Sequence, residues 1–163
     1  FFSGLSSNQN AKLLATLKPL IIRNQLKDII LSIKPCFSSE IYSGNKQIEL
    51  RKAVGKEFFQ GSKVFIYSSS PIKAIDGCAT IDKIERISVQ NIRKKLLPLA
   101  KISVESFDEY FRSHEHGYVI WLSNIIKFEK GSTLGDLRVL GFSAPQSFSY
   151  VTSKLKPLLE SLK

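Results

Sequence analysis

Eight residues, Gly44-Asn45-Lys46-Gln47-Ile48-Glu49-Leu50-Arg51, limit most strongly what this chain can fold into. The preceding segment, residues 35–43, begins with a proline and reads as a short helix. Gly44 ends that helix, because a left-handed backbone is cheap only for glycine. After it the side chains alternate: Ile48 and Leu50 to one side, Glu49 and Arg51 to the other, as in a half-buried strand. A lysine, a carboxylate and a guanidinium are thereby delivered near one spot at the mouth of a strand. Residues 29–34, Ile-Ile-Leu-Ser-Ile-Lys, read as the strand before the helix, which gives the order strand, helix, glycine, strand.

This pattern, Gly44-x-Lys46-x-x-Glu49-x-Arg51, resembles the signature of the ASCH domains, a branch of the PUA-like superfamily of small RNA-associated β-barrels. Two later stretches are also similar to family members: residues 64–71, Val-Phe-Ile-Tyr-Ser-Ser-Ser-Pro, and residues 145–150, Pro-Gln-Ser-Phe-Ser-Tyr. The resemblance spans residues 28–151. It implies an α+β fold: a mixed PUA-like β-barrel with short flanking helices, and extra helices at the N and C termini. The expected division is an N-terminal helical extension over 1–27, the ASCH domain over 28–151, and a packed C-terminal helix over 152–163.

The rest of the chain fits that frame. In the extension, Ser7 or Asn8 caps a helix with Leu13, Leu14, Leu17, Leu20 and Ile21 on one face, kinked at Pro19. Residues 52–62 read as a loop, 63–67 as a strand and 68–71 as a hydroxyl-rich turn. Residues 73–87 form a long strand in which Gly77 marks a bulge, a device that curls a sheet. A helix over 89–97 turns Arg93, Lys94 and Lys95 to solvent, and Ser103 caps another with Phe107, Tyr110 and Phe111 inward. Residues 118–128 are a strand around Trp121, 133–140 a helical turn closed by Gly141, and 151–162 a helix with Leu155, Leu158, Leu159 and Leu162 as its stripe.

Charge adds a partner class. The chain carries a formal net charge of +10, and the excess is uneven. Residues 1–34 hold five basic and one acidic side chain and residues 46–101 hold twelve and five, while residues 102–163 hold seven of each. A basic excess in the part that carries the motif points to an anionic partner, with nucleic acid the commonest. No apolar run is long enough to span a bilayer, so no membrane partner is expected. Cys36 and Cys78 are too few for a disulfide framework. Both sit in apolar contexts and read as buried free thiols, which fit a reducing, cytoplasmic compartment. The chain opens on Phe1 and has no methionine, so an upstream domain or a partner reached through the N-terminal helix is expected.

The chemistry-bearing residues follow. There is no phosphate loop, dinucleotide fingerprint or nucleophile elbow, so no cofactor is expected. His114 and His116 flank Glu115 in what reads as a loop, without a third ligand at a telling distance, so no metal is expected. Lys46 can bind phosphate or, desolvated, act as a base. Glu49 can accept from a base amino or amide N–H, or orient its two cations. Arg51 offers a planar fork to phosphate or carboxylate. As solvated charges at a strand mouth, these three are expected to contribute little to stability. By resemblance the ligand cleft also takes Tyr67, Ser68, Ser69, Gln146, Ser147 and Phe148, with Tyr67 or Phe148 stacking a base.

Among ASCH-like proteins, small bacterial acetylcytidine amidohydrolases use a lysine, a threonine and a glutamate. The lysine falls on Lys46, but the threonine falls on Glu49, which offers no hydroxyl nucleophile. Lys46 and Glu49 are the catalytic candidates if the chain is an enzyme. Three functions fit: an RNA or modified-nucleotide binding module, as part of a transcription or translation regulator; a small hydrolase of the same fold, a ribonuclease or an acetylcytidine amidohydrolase-like enzyme; or a protein-interaction domain of a larger regulator.

Overall fold

The structure is a computed structural model that describes residues 8, 9, 11–13, 15, 16 and 26–162. The seven described residues before 26 are all helical. Leu14, Leu17, Leu20 and Ile21 of the expected N-terminal stripe lie outside the described residues.

Twelve elements follow: β1 (Ile29–Ile33), α1 (Pro35–Tyr42), β2 (Ile48–Arg51), β3 (Lys63–Ser68), β4 (Ala74–Ser88), α2 (Val89–Lys95), α3 (Leu97–Ala100), α4 (Val104–Tyr110), β5 (His116–Thr133), α5 (Leu134–Val139), β6 (Phe148–Tyr150) and α6 (Lys156–Ser161). The strands form one six-stranded sheet in the order β2-β5-β4-β3-β1-β6. β1 pairs with β3 in parallel and every other pairing is antiparallel, so the sheet is mixed. The fold is α+β, a curled half-barrel with helices against it, as expected.

Local chemistry explains the turns. Proline stands at the start of α1, where its missing N–H costs nothing. Gly44 follows with φ +79°, and its N–H closes on the Ile41 carbonyl at 3.0 Å. Ser88, Ser103 and Thr133 cap α2, α4 and α5, and Thr133 with Asp136 completes a capping box.

Curling comes from the long strands. The β4–β5 register shifts between Ile75 and Gly77, between Cys78 and Thr80, and between Ile81 and Lys83. Each irregularity adds twist, and together they bend two long strands around a core. Gly77 sits at the first of these bulges, as the sequence implied.

The curl leaves apolar side chains on both faces. Inside it lie Ile29, Leu31, Ile33, Ile41, Val64, Ile66, Ile81 and Ile120. On the outer face Ile30, Phe65, Tyr67 and Ile75 are covered by Leu137, Phe142, Leu155 and Leu159. A third cluster joins Ile48 and Leu50 of β2 to Ile92, Ala100, Phe107 and Phe111 of the helices between β4 and β5.

Several expectations are corrected. β2 is buried on both faces rather than half-buried, because the helical insert covers Ile48 and Leu50 while Glu49 and Arg51 turn into the curl. Cys36 is exposed on α1, and only Cys78 is buried, its thiol pushed up by desolvation. The strand expected over 118–128 extends from His116 to Thr133, so His116 lies in β5 rather than a loop. The terminal helix is confined to Lys156–Ser161, with Leu159 its buried residue and Leu155 buried at the position just before it.

The bulge at Gly77 yields a stability test. A Cβ there would lie 2.5 Å from Tyr42 Cε1 and 2.6 Å from the Ile126 carbonyl oxygen. A carbonyl on a paired strand cannot swing aside as a side chain can. Gly77→Ala should destabilise the protein by about 1–3 kcal/mol, the range for overpacking. Urea unfolding should show a lower midpoint with an unchanged slope.

Candidate functional site

β2 delivers its charged residues to a closed place. Lys46 is 3% exposed, and Glu49 and Arg51 are 7% each. A charge this deeply buried is costly unless paired. All three are paired. Glu49 bridges its neighbours, with Oε2 3.3 Å from Lys46 Nζ and Oε1 2.9 Å from Arg51 Nη2.

Both cations continue outward to backbone carbonyls. Lys46 Nζ donates to Ala100 O at 2.7 Å, at the C-terminal end of α3, where a cation meets unpaired carbonyls. Its ammonium also sits 5.1 Å from the centre of the Phe37 ring. Arg51 Nη2 donates to Ser32 O at 2.9 Å, and Nη1 to Ser147 O and Oγ, each at 3.3 Å. Ser32 N in turn donates to Ser147 O at 2.9 Å.

The topology gives these contacts their meaning. β2 is one edge of the sheet and β6 the other. Arg51 reaches from the first edge to Ser32 on β1 and Ser147 just before β6, and so ties the two ends of the curl together. The expectation of solvated, energetically idle charges is corrected here: barrel curvature turns the charged face of β2 inward. Arg51 Nε is buried without a hydrogen-bond partner, a further cost of placing the guanidinium there.

The other sequence candidates divide around this relay. Ser147 and Gln146 are exposed and Ser69 is partly exposed, with Ser69 N donating to Ile33 O at 2.9 Å. Phe148 is half-buried, 4.9 Å edge-on to Phe58 and 5.8 Å from Tyr150. Ser68 is fully buried, and Tyr67 points to the opposite face of β3, 3% exposed and 5.7 Å from the Phe142 ring. A ring packed in the outer core is not free to stack a base, so that role of Tyr67 is corrected.

Ser68 belongs to a second polar cluster that the sequence reading missed. Its Oγ donates to Asp76 Oδ1 and meets Ser38 Oγ, both at 2.8 Å. Tyr42 OH donates to the same Asp76 oxygen at 2.6 Å. Burial raises the Tyr42 phenol far above its ordinary value, and the bond to Asp76 raises it further. An aspartate beside the bulge glycine was the available signal in the sequence. Nothing there pointed to Tyr42.

Tyr110 lies against the relay, its phenol raised by burial and opposed by Arg51's charge and the Lys52 N–H. His114 is exposed, with Nδ1 2.9 Å from Arg112 O. No group of three or more His, Cys, Asp or Glu side chains is placed to hold a metal among the described residues. A groove of about 380 Å³ lies elsewhere, between the end of β5, α5 and α6, and includes Lys130, Asp136 and Leu158 but none of the motif residues.

The model of the family described as "Domain of unknown function (DUF365)" matches residues 26–141. A curated relative from Zymomonas mobilis, named ASCH domain-containing ribonuclease, is 25% identical over 138 residues, covering 83% of this chain and 92% of its own length. Among solved structures, ASCH from Zymomonas mobilis is similar with a TM-score of 0.78 at 22% identity, over 85% of this chain and 98% of that one. Human THYN1, solved in complex with DNA containing 5-methylcytosine, has a TM-score of 0.55 at 13% identity, over 83% of this chain and 96% of that one. These structural likenesses speak to the fold.

Two outcomes test the polar clusters. Glu49→Gln leaves two buried cations without their shared carboxylate and should cost about 3 kcal/mol or more, the scale for breaking a buried pair from one side. Arg51→Lys should also destabilise, since an ammonium cannot span Glu49, Ser32 and Ser147 together. Thermal melts of both variants beside the parent check this.

For Tyr42 the sign follows from linkage. Its folded pKa lies above the unfolded value of about 10, so its stabilisation is complete below about pH 10. At higher pH the unfolded chain loses the proton while the folded chain keeps it, and stability falls. Tyr42→Phe should remove that part of the alkaline loss, read as a shallower decline of urea midpoints above about pH 10.

Proposed function

The chain belongs to the family described as domain of unknown function DUF365 and is an ASCH-domain protein, and from that premise we propose that it is a nucleic-acid-binding module. Its ligand is RNA or a modified nucleotide, held in a cleft beside β2 as part of a transcription or translation regulator. Ser69, Gln146 and Ser147 face the ligand, and Lys46, Glu49 and Arg51 shape the wall behind them.

One observation carries this reading: the bond from Arg51 Nη1 to Ser147 Oγ. A guanidinium can only donate, so the serine oxygen accepts and its own hydrogen remains available. Ser147 is exposed, which leaves that hydrogen to donate to a phosphate oxygen or a base carbonyl beside a buried cation. The excess of basic side chains before residue 102 supplies the longer-range attraction.

The relay also bears on chemistry. Both carboxylate oxygens of Glu49 are engaged by cations, so it is not a free general base in this arrangement. Lys46 is held between a carboxylate and a carbonyl. Binding is therefore favoured over a hydrolase built on these two residues. The name of the Zymomonas relative keeps RNA cleavage as the second reading, with Ser147 rather than Glu49 at its centre.

Titrations of labelled RNA and DNA oligomers at several salt concentrations test the proposal. True phosphate contacts release counterions, so affinity should fall steeply with salt. Ser147→Ala should weaken binding by about tenfold, the scale of one charge-assisted hydrogen bond, at an unchanged melting temperature. Weak binding that ignores salt would overturn the reading in favour of a protein-interaction domain. RNA cut by the parent and spared by Ser147→Ala would replace it with the ribonuclease.

A further inference from the structure

We propose that the seam of the half-barrel is a track for single-stranded nucleic acid, with Phe59 as the stacking platform and Lys27, Lys52 and Lys56 as phosphate contacts. This rests on the nucleic-acid reading above and extends it away from the cleft.

The seam is the gap between β2 and β6, the two edges of the sheet. Arg51 closes one end of it. Residues 52–62, a loop without helix or strand, lead from β2 into β3 and meet β6 on the way. Long irregular loops on a rigid scaffold are where binding groups concentrate.

This loop is fixed in place. Glu57 N donates to Tyr150 OH at 3.2 Å, and the Phe58 ring meets Phe148 edge-on at 4.9 Å. Gly61 N donates to Ile81 O at 2.8 Å, and Phe59 N to Ser62 Oγ at 3.3 Å. Gly55 lies directly under Tyr150 and Phe148, where any Cβ would collide with Tyr150 OH. The loop therefore has one seating, and that seating decides the fate of two adjacent phenylalanines. Phe58 is the anchor, 8% exposed in the inner core, while Phe59 stands 47% exposed.

A large ring turned outward by an ordered backbone costs burial that its neighbour obtains. Lysines precede it in the chain and stand beside rings at either edge of the seam. Lys52 Nζ lies 4.8 Å from the centre of the Tyr110 ring, and Lys27 Nζ 5.8 Å from that of Tyr150. Lys56 is exposed three residues before Phe59, and Glu57 is the one acid of the loop.

An exposed aromatic with flanking cations is how sequence-tolerant single-strand sites are built: bases stack on the ring and the backbone follows the charge. A duplex keeps its bases stacked inside and offers no face to such a ring. From Ser147 to Tyr150 the seam runs about 10 Å at the usual strand rise, so a short single strand can touch the cleft and the loop together.

The test uses the whole chain with labelled oligo-U and oligo-dT of about ten nucleotides, a length within the usual single-strand site sizes, and with uridine monophosphate as the cleft probe. Phe59→Ala should weaken both oligomers by about tenfold, the effect of one lost base stack, and leave the monophosphate unchanged. Phe59→Trp should restore oligomer binding. Lys52→Gln with Lys56→Gln should flatten the salt dependence of oligomer binding by about one to two counterions. Melting temperatures of all these variants should match the parent, since the changed side chains are exposed. Either sugar preference supports the track and identifies the strand it carries. Oligomer binding unaltered by Phe59→Ala overturns it, as does a parent that binds the monophosphate but holds oligomers no tighter. A parent that binds neither probe overturns the cleft reading, and the track with it.

Discussion

Glu49 neutralises two cations that point to different parts of the molecule, Lys46 to the end of α3 and Arg51 to the far edge of the sheet. Without it, curling the sheet would bring two bare charges into an apolar interior, at a cost of several kcal/mol each. With it, the curl gains a polar tie where backbone pairing is impossible, because β2 and β6 do not share a ladder. Hydrophobic packing supplies the driving force for the half-barrel, and this relay fixes which edge meets which.

The sequence shows much of this once periodicity and punctuation are taken together. Gly44, Pro35, Ser103, Thr133 and Gly141 mark element ends by their own backbone preferences, and Gly77 marks the bulge. Those signals are local, and local signals survive in a sequence. The burial of Glu49 and Arg51 is not local. Alternation says that they oppose Ile48 and Leu50, but it cannot say that the sheet bends until both faces are covered. Tyr67 fails for the same reason: one residue of register along β3 separates it from Ser68, and only the packing of Phe142 shows that its ring joins the outer core. Cys36 sits in an apolar stretch, yet it falls on the outward side of a helix only two turns long.

The division of labour among the charges follows from this geometry. The motif charges face inward and are paired by Glu49, whereas Lys27 and Lys52 lie over the rings of Tyr150 and Tyr110 and are exposed. A strongly basic chain can thus spend part of its charge on its own closure and still present a positive surface. The second polar cluster, Ser38, Ser68, Tyr42 and Asp76, plays a related part at the first bulge. It seats α1 against β3 and β4 through hydroxyl groups gathered on one carboxylate.

The long reach of Arg51 has a consequence for how the molecule comes into being. Its contact with Ser147 joins residues 96 positions apart, and β1 cannot complete its outer pairing until β6 has been made. During synthesis the strand carrying the motif leaves the ribosome long before the segment that receives its guanidinium. Contacts of such separation are slow to form, because the chain between them must be ordered first. Closure of the half-barrel is therefore a late event, and nascent chains ending short of residue 147 carry the whole signature without the serine that receives its guanidinium.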